Sequence, residues 1–251
     1  MGYHGGSGAC DMRKGWLVGL WLWAYCLGAA GYDATENATA LAAYTAELNA
    51  LRAAHGVPPL KLNPIISDAA QYQAEVIAET GQLTHHDKEG RRPSQRLRER
   101  GYEIQAVGEI LAFAPTWGDA LEAWLRSEQH RKILLSPDYR ELGVGVREKP
   151  NSLSAKICCV VFARREGVYP LIIENDAPIT RSRKVKLFVH GAALASEIRL
   201  SADGQNWQPW RKPQSELEWQ LPATAGEHTV WVELKIGGRI YRAADTIRYE
   251  P

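Results

Sequence analysis

Cysteine is scarce in this sequence, with four in 251 residues. Cys10 and Cys26 fall in the first thirty residues, which differ in composition from the rest of the chain. Cys158 and Cys159 are adjacent, and neighbouring Cα atoms lie ~3.8 Å apart, closer than the ~4.4 to 6.8 Å of an unstrained disulfide. We therefore predict that hydrophobic cores hold the fold, with Cys158 and Cys159 as small apolar residues in a strand.

An excess of one charge is absent as well. The chain has 30 Lys and Arg residues against 29 Asp and Glu residues, a net charge of +1. This balance gives no electrostatic footprint for nucleic acid or for an anionic membrane surface. The sequence also has no internal repeat and no low-complexity tract, and its length accommodates two domains.

Long apolar runs are missing apart from Trp16 to Leu27. That run is shorter than the ~20 residues of a comfortable membrane span, and Arg13 and Lys14 precede it as in a secretory signal peptide. We therefore predict a signal peptide over residues 1–31, a secreted or periplasmic protein, and no membrane span after cleavage. An uncleaved anchor is the alternative. Met12, directly before the two basic residues, is an alternative start of translation.

The first half of the remaining chain has helical periodicity interrupted by short strand-like segments. Apolar spacing, caps and turn residues predict four helices, and branched residues predict strands. The helices are expected over 37–56, 63–81, 93–100 and 119–132, and the strands over 143–146 and 157–162. This alternation predicts an α+β domain over residues 37–165.

The pattern changes to strands only after about residue 169. Apolar and polar residues alternate over 184–189 and 230–236, and Gly237-Gly238 is a two-residue hairpin turn. We predict an all-β sandwich over residues 170–251. Its tryptophans have two interpretations: large aromatics in or around a core, or a platform on which sugar rings stack. These residues are Trp207, Trp210, Trp219 and Trp231.

Three side chains of the first domain are candidates for chemistry: His85, Glu109 and His130. Two imidazoles and a carboxylate suit a divalent metal such as Zn2+, with one position left open for water. The same groups suit an acid/base pair. No His-Glu-x-x-His motif places two ligands on one helical face, so surface histidines and a structural carboxylate are the third interpretation.

Four separated motifs carry a resemblance to a known family. They are residues 83–102, Gly108-Glu109, residues 123–134 and residues 142–145. In order and spacing they resemble the bacterial branch of the SCP/CAP superfamily (cysteine-rich secretory, antigen 5 and pathogenesis-related proteins). The resemblance implies a three-layer α-β-α sandwich with a central cleft.

The same resemblance implies that His85, Glu109 and His130 lie in that cleft. The chain departs from the pattern at Ser127, where many eukaryotic members have a second glutamate. The strand-rich half is similar to bacterial immunoglobulin-like domains. The predicted architecture is thus an SCP/CAP domain followed by an immunoglobulin-like sandwich.

These features lead to one main functional hypothesis and two alternatives. The first is a binding module whose cleft takes a small hydrophobic or lipid-like ligand, a divalent metal or a cell-envelope component. A hydrolase that depends on His85, His130 or a metal is the second, although Gly-x-Ser-x-Gly is absent and Ser127 is the one tempting nucleophile. The third is an adhesion or structural module. Enzymatic activity and oligomeric state stay open, because a fold does not fix an activity.

Overall fold

The computed structural model describes residues 34–152 and 154–251. The predicted signal peptide at 1–31, the alternative start at Met12 and the leader cysteines lie outside the described residues. Five α-helices are described: α1 (Ala34–Ala54), α2 (Pro64–Thr80), α3 (Pro93–Glu99), α4 (Trp117–Arg126) and α5 (Glu128–Leu134). Within the described residues, none of the helices is long and apolar enough to cross a membrane.

Local signals determine where α2 begins and ends. The Asn63 side chain accepts a hydrogen bond from the Ile65 amide at 2.9 Å, and Pro64 follows at the first helical position. At the other end Gly81 is left-handed with φ 69°, a conformation that glycine adopts without steric cost. These are the cap and stop residues that the sequence indicates.

The single helix predicted over 119–132 is wrong, because the chain bends at Ser127. This residue has extended dihedrals, φ −83° and ψ 119°, and is at once the C-cap of α4 and the N-cap of α5. Its amide donates to the Ala123 carbonyl, and its own carbonyl accepts from the Arg131 amide. Backbone bonding continues across the bend, so apolar spacing alone does not reveal it.

The first sheet has the order β1-β3-β4-β2 and helices on both faces. Its strands are β1 (Lys61–Leu62), β2 (Ala106–Ala114), β3 (Glu141–Glu148) and β4 (Lys156–Arg164). On one face α1 and α4 pack in a core that includes Cys158, and on the other face α2 and α3 pack in a core that includes Cys159. The result is three layers, and both cysteines are buried because both faces of the sheet are covered.

Strand β3 lies directly against α2 at two glycines. A Cβ atom added at Gly143 would stand 2.2 Å from the carbonyl carbon of Ile66, and one at Gly145 would stand 2.4 Å from the carbonyl carbon of Ala70. Both obstacles are main-chain atoms of the helix. The close approach of sheet and helix therefore depends on the missing side chains.

The strand-rich half consists of two further sheets around a shared core. One sheet has the order β6-β11-β10-β8, and the other has the order β5-β7-β9. The strands are β5 (Leu171–Ile173), β6 (Ile179–Thr180), β7 (Lys184–Val189), β8 (Glu197–Ser201), β9 (Glu216–Gln220), β10 (Gly226–Ile236) and β11 (Arg239–Tyr249). Ile236 pairs with Arg239 across Gly237-Gly238, which confirms the predicted hairpin.

Two of the tryptophans stack with cations in an alternating row. Arg199 lies 5.0 Å from the ring centroid of Trp207 and 4.4 Å from that of Trp210. Arg242 lies 5.0 Å from the Trp207 centroid, and Lys235 lies 4.8 Å from the Trp210 centroid. In such contacts the cation is attracted to the face of the aromatic ring, which stabilises the stacked arrangement. The two rings are therefore engaged with protein cations, which favours packing over the sugar platform at these positions.

Buried polar contacts join the two halves, and Asp33–Pro251 forms one compact unit. The Lys61 ammonium contacts the carboxylates of Asp176 and Asp245. Asp176 also accepts the Leu62 amide at 2.7 Å, and Asp245 accepts the Ile173 amide at 2.8 Å. Burial raises the pKa of Asp245. The predicted division at 165–170 stays a prediction, but these contacts tie the two halves together.

A left-handed turn supplies one of these contacts. Glu174, Asn175 and Asp176 have φ values of 47°, 58° and 67°, a region that costs a non-glycine residue roughly 1 kcal/mol or more. The Asn175 carbonyl accepts from the Asn49 side chain at 2.9 Å. The contacts of this turn with the first half offset the cost of its left-handed backbone. An isolated strand-rich half would lack these contacts.

The same junction makes a testable contribution to pH-dependent stability. His190 is buried, its Nε2 lies 2.8 Å from the Pro59 carbonyl oxygen, and burial lowers its pKa from 6.5 to about 4. Between these two pH values the unfolded chain binds a proton that the folded protein excludes. The free energy of unfolding should therefore fall as the pH drops from 6.5 to 4, by roughly 3 kcal/mol from this residue alone.

Urea unfolding at pH 7 and pH 4.5 checks this prediction. His190→Gln keeps a donor for the Pro59 carbonyl and removes the titration, so it should lose most of the stability difference between the two pH values. The exposed His55 supplies the matched control, since His55→Gln should keep the full difference. An unchanged pH slope in His190→Gln would contradict the assignment.

Candidate functional site

His85 lies in the loop between α2 and α3, and buried side chains hold the main chain of this loop. The Gln73 amide donates to the carbonyl oxygens of Thr84 at 2.6 Å and His86 at 3.3 Å. The Arg96 guanidinium donates to the His85 carbonyl oxygen at 3.0 Å. Gln73 comes from α2 and Arg96 from α3, so two elements of the core fix the position of the histidine.

The His85 imidazole is paired with a buried carboxylate. Its Nδ1 lies 2.8 Å from Oε1 of Glu109, a residue of β2 that is 5% exposed. The other oxygen of Glu109 contacts the guanidinium of Arg96, which is fully buried. Because a carboxylate beside this permanent cation acts as an acceptor, Nδ1 of His85 carries the proton. Nε2 is then the free nitrogen of a ring whose side chain is 52% exposed; it accepts a hydrogen bond in the neutral imidazole and donates one in the imidazolium.

His130 lies beside this pair without joining it. Its Nδ1 is 2.8 Å from the Ser127 hydroxyl oxygen, three residues back at the start of α5. Burial lowers the pKa of His130 below 6.5, and the charge of His85 lowers it further, so His130 is neutral at neutral pH. Glu128, the residue next to Ser127, pairs with Lys132 on the exposed side of α5. It cannot replace the second glutamate of the family pattern.

The His85–Glu109 pair opens into a cleft of about 450 Å³. Five of its eight lining residues have polar side chains; the lining consists of His85, His86, Arg92, Pro93, Ser94, Val107, Gly108 and Glu109. A Cβ at Gly108 would stand 2.5 Å from the Tyr139 hydroxyl oxygen, so a larger residue there would require the Tyr139 side chain to move. His130 and Ser127 are not part of this lining, so the cleft brings together two of the three residues predicted for it.

The three predicted ligands do not fit a zinc site of the kind expected. Among residues 34–152 and 154–251, no group of three His, Cys, Asp or Glu side chains is placed to hold a metal. Both oxygens of Glu109 are engaged, one by His85 and one by Arg96. A guanidinium at bonding distance opposes a cation at the same carboxylate.

The adjacent cysteines do not supply a nucleophile. Burial raises the pKa of the Cys158 thiol to about 12 and that of Cys159 well above its usual value. Since the thiolate is the reactive form, both thiols are inert at neutral pH. Cys159 Sγ lies 3.7 Å from Glu109 and packs behind the pair.

Sequence reasoning missed Arg96 and Gln73. Arg96 belongs to the cluster Arg91, Arg92, Arg96, Arg98 and Arg100, which reads as a solvated helix face. In the structure Arg96 is buried, whereas Arg91 and Arg100 lie over the Tyr72 ring at 5.9 and 5.2 Å. The sequence feature that could have revealed the burial of Arg96 is Glu109. A carboxylate in an apolar strand needs a cation as its partner, and α3 offers several.

Comparison with known proteins now identifies the first half. The model of the cysteine-rich secretory protein family, abbreviated CAP, matches residues 45–162. This segment is a CAP domain. It contains His85, Glu109 and His130, and all of the first sheet except the last two residues of β4.

The CAP domain is of the bacterial type. Over 102 residues, 40% of this chain and 30% of the relative, it is 36% identical to the uncharacterized membrane protein YlbC of Bacillus subtilis. Over 101 residues, 40% of this chain and 39% of the relative, it is 28% identical to the uncharacterized protein YkwD of the same organism. The matched part spans about a third of the length of these relatives.

Two bacterial proteins of solved structure align with part of this chain. An outer surface protein of Borrelia burgdorferi aligns with a TM-score of 0.47 at 23% identity, over 54% of this chain and 97% of that protein. An extracellular protein containing an SCP domain from Bacillus anthracis aligns with a TM-score of 0.46 at 24% identity, over 55% of this chain and 45% of that protein.

Proposed function

We propose that the CAP domain is a binding module whose cleft takes a small ligand through a polar, preferably anionic, group at His85. The observation that carries this proposal is the His85–Glu109–Arg96 arrangement, in which a buried ion pair orients an accessible imidazole. The imidazolium form of His85 would donate its Nε2–H to the anion. His86 and Arg92 add two further nitrogen-bearing groups to the same cleft. Few polar groups in fixed positions are typical of small-molecule sites.

The lining favours this ligand class over the lipid-like ligand that the sequence suggested. Pro93 and Val107 are the larger apolar residues that line the cleft. A lipid chain gains its binding energy from apolar area removed from water, and this cleft offers little. A hydrophobic ligand therefore stays a prediction with less support than an anionic one.

Histidine-detected NMR titration with inorganic phosphate and with acetate tests the proposal. The imidazole resonances of His85 and His86 should shift and saturate, whereas those of the distant His228 should not. Loss of a hydrogen bond to a charged group costs about 1.5 to 3 kcal/mol, so His85→Ala should weaken binding at least tenfold. His228→Ala is the matched control and should bind as the unmodified protein does.

Two outcomes would contradict the proposal. One is a set of shifts that stays linear and equal at all histidines up to high anion concentration. The other is stoichiometric zinc in protein purified without chelator, lost in both His85→Ala and His130→Ala. Zinc held by the two histidines stays a prediction from the sequence, and the metal analysis separates it from the metal-free site proposed here.

A hydrolase is the second candidate, because an imidazole oriented by a carboxylate is also the base of many hydrolytic sites. Nε2 of His85 would take a proton from water. Ser127 is a weaker nucleophile candidate, since it caps α5 and contacts His130 rather than the oriented His85. Hydrolysis of small esters or amides that disappears in His85→Ala and persists in Ser127→Ala would support this alternative.

We further propose that the strand-rich half is an immunoglobulin-like module that presents a contact surface beside the CAP domain. Its two face-to-face sheets support this assignment. Export to the periplasm or the outside is proposed from the predicted leader, and a cell-envelope component is the corresponding partner. An adhesion role of this half alone would not explain the oriented His85–Glu109 pair in the CAP domain.

A further inference from the structure

A second and larger groove lies where the end of α1 meets the outer face of the β5-β7-β9 sheet. Its volume is about 690 Å³, within the roughly 300 to 1,000 Å³ of small-molecule sites. One wall is the segment Gly56 to Pro59 after α1, and the other wall comes from β7 and β9. None of the residues of the His85 cleft lines it.

The charges in this groove balance. Lys186 and Arg211 bring two cations, and Glu216 and Glu218 bring two carboxylates. Lys186 lies opposite Glu218 in the strand register, so opposite charges alternate across the sheet face. A groove without net charge gives no field that would concentrate a simple anion or cation. Its ligand should therefore be polar and neutral.

Four planar polar side chains and one aromatic ring line this groove. Asn175, Gln214, Arg211 and Glu216 each present two donor or acceptor atoms in a plane. Such pairs suit two neighbouring hydroxyl groups of one ligand. Phe188 is half-buried and packs edge-on against the buried His190, with ring centroids 5.0 Å apart at 70°, so its ring is held in a fixed orientation.

We propose that this groove binds a neutral oligosaccharide of two or three sugar rings. Hydroxyl groups would pair with the planar side chains, and the apolar face of one ring would lie against Phe188 and the wall at Pro58. The location differs from the one suggested by the tryptophans, since Trp207 and Trp210 are engaged with arginine and lysine side chains. The proposal is independent of any function at His85.

The test is a ¹H–¹⁵N NMR titration of the whole protein with three trimers: cellotriose, maltotriose and chitotriose. At least one trimer should give saturable shifts at the amides of Phe188, Gln214 and Glu216. A neutral hydrogen bond contributes about 1 kcal/mol and one to a charged group about 1.5 to 3 kcal/mol, so Gln214→Ala should weaken binding about fivefold and Glu216→Ala at least about tenfold. Both residues are exposed, so neither substitution removes a core contact.

Gln220→Ala is the matched control, because Gln220 is exposed on the same strand as Glu216 and is not part of the groove. It should keep full affinity, as should His85→Ala. Absence of saturable shifts with all three trimers would overturn the proposal, and so would equal affinity in every variant. A mixed-charge tripeptide that displaced the trimers more tightly than they bind would also overturn it, since the occupant would then be a peptide.

Discussion

Replacing Arg96 by methionine should lower the free energy of unfolding by about 3 to 5 kcal/mol. The side chains of Arg96 and Glu109 are 0% and 1% exposed, so the variant leaves a carboxylate in the core without its counter-ion. The carbonyl oxygens of His85 and Arg91 lose their Arg96 donor as well. Loss of one partner of a buried pair is costly because the remaining charge keeps its desolvation penalty.

Urea denaturation measures the effect, and Arg98→Met is the matched control. Arg98 is on the same helix and exposed, so the same substitution there should change stability by less than about 0.5 kcal/mol. The double variant Arg96→Met/Glu109→Met should recover much of the loss, because apolar residues of similar volume often replace a buried ion pair at little cost. A single variant as stable as Arg98→Met would show that the pair does not hold the site together.

Gly143→Ala should lower the free energy of unfolding by at least about 3 kcal/mol. This is the upper end of the usual cost of adding a carbon atom to a packed core. The new Cβ would stand 2.2 Å from both the Ile66 carbonyl carbon and the Ser67 amide nitrogen. Main-chain atoms of a helix cannot rotate away as a side chain can. The sheet and α2 would have to separate, and apolar contacts along their whole interface would weaken.

Gly118→Ala is the control for the prediction at Gly143. Gly118 is in the first turn of α4, and the nearest atom to an added Cβ there is the Thr116 hydroxyl oxygen at 3.8 Å. Alanine is the better helix former by up to about 1 kcal/mol, so this variant should be neutral or slightly more stable. Equal stability of Gly143→Ala and the unmodified protein would mean that α2 is farther from β3 than described.

Elements with local signals could be predicted from the sequence, and elements defined by distant contacts could not. Asn63, Pro64 and Gly81 mark the ends of α2 within the segment itself, and Gly237-Gly238 marks a hairpin in the same way. Strand β2 escaped prediction because Ala106–Ala114 is largely buried and has no alternating pattern, which apolar runs in covered sheets commonly lack.

The residues of the candidate site also separate into those that the sequence predicts and those that only distant contacts reveal. His85 and Glu109 were expected together from motifs, and the structure places them 2.8 Å apart. Arg96 was not expected there, because nothing local distinguishes a buried arginine from its exposed neighbours in a charged helix. Its burial follows from Glu109, thirteen residues away, and only a three-dimensional arrangement shows that relation.

The ion cluster at Lys61 bears on how such a chain can be recombined. The lysine comes from the CAP domain, and both of its aspartates, Asp176 and Asp245, come from the strand-rich half. A chimera that joined this CAP domain to a different module would place the Lys61 ammonium at the domain junction without the two aspartates that neutralise it. Grafting the strand-rich half elsewhere would leave two nearly buried carboxylates facing each other. The lysine and the two aspartates therefore have to be transferred together when the two halves are recombined with other domains.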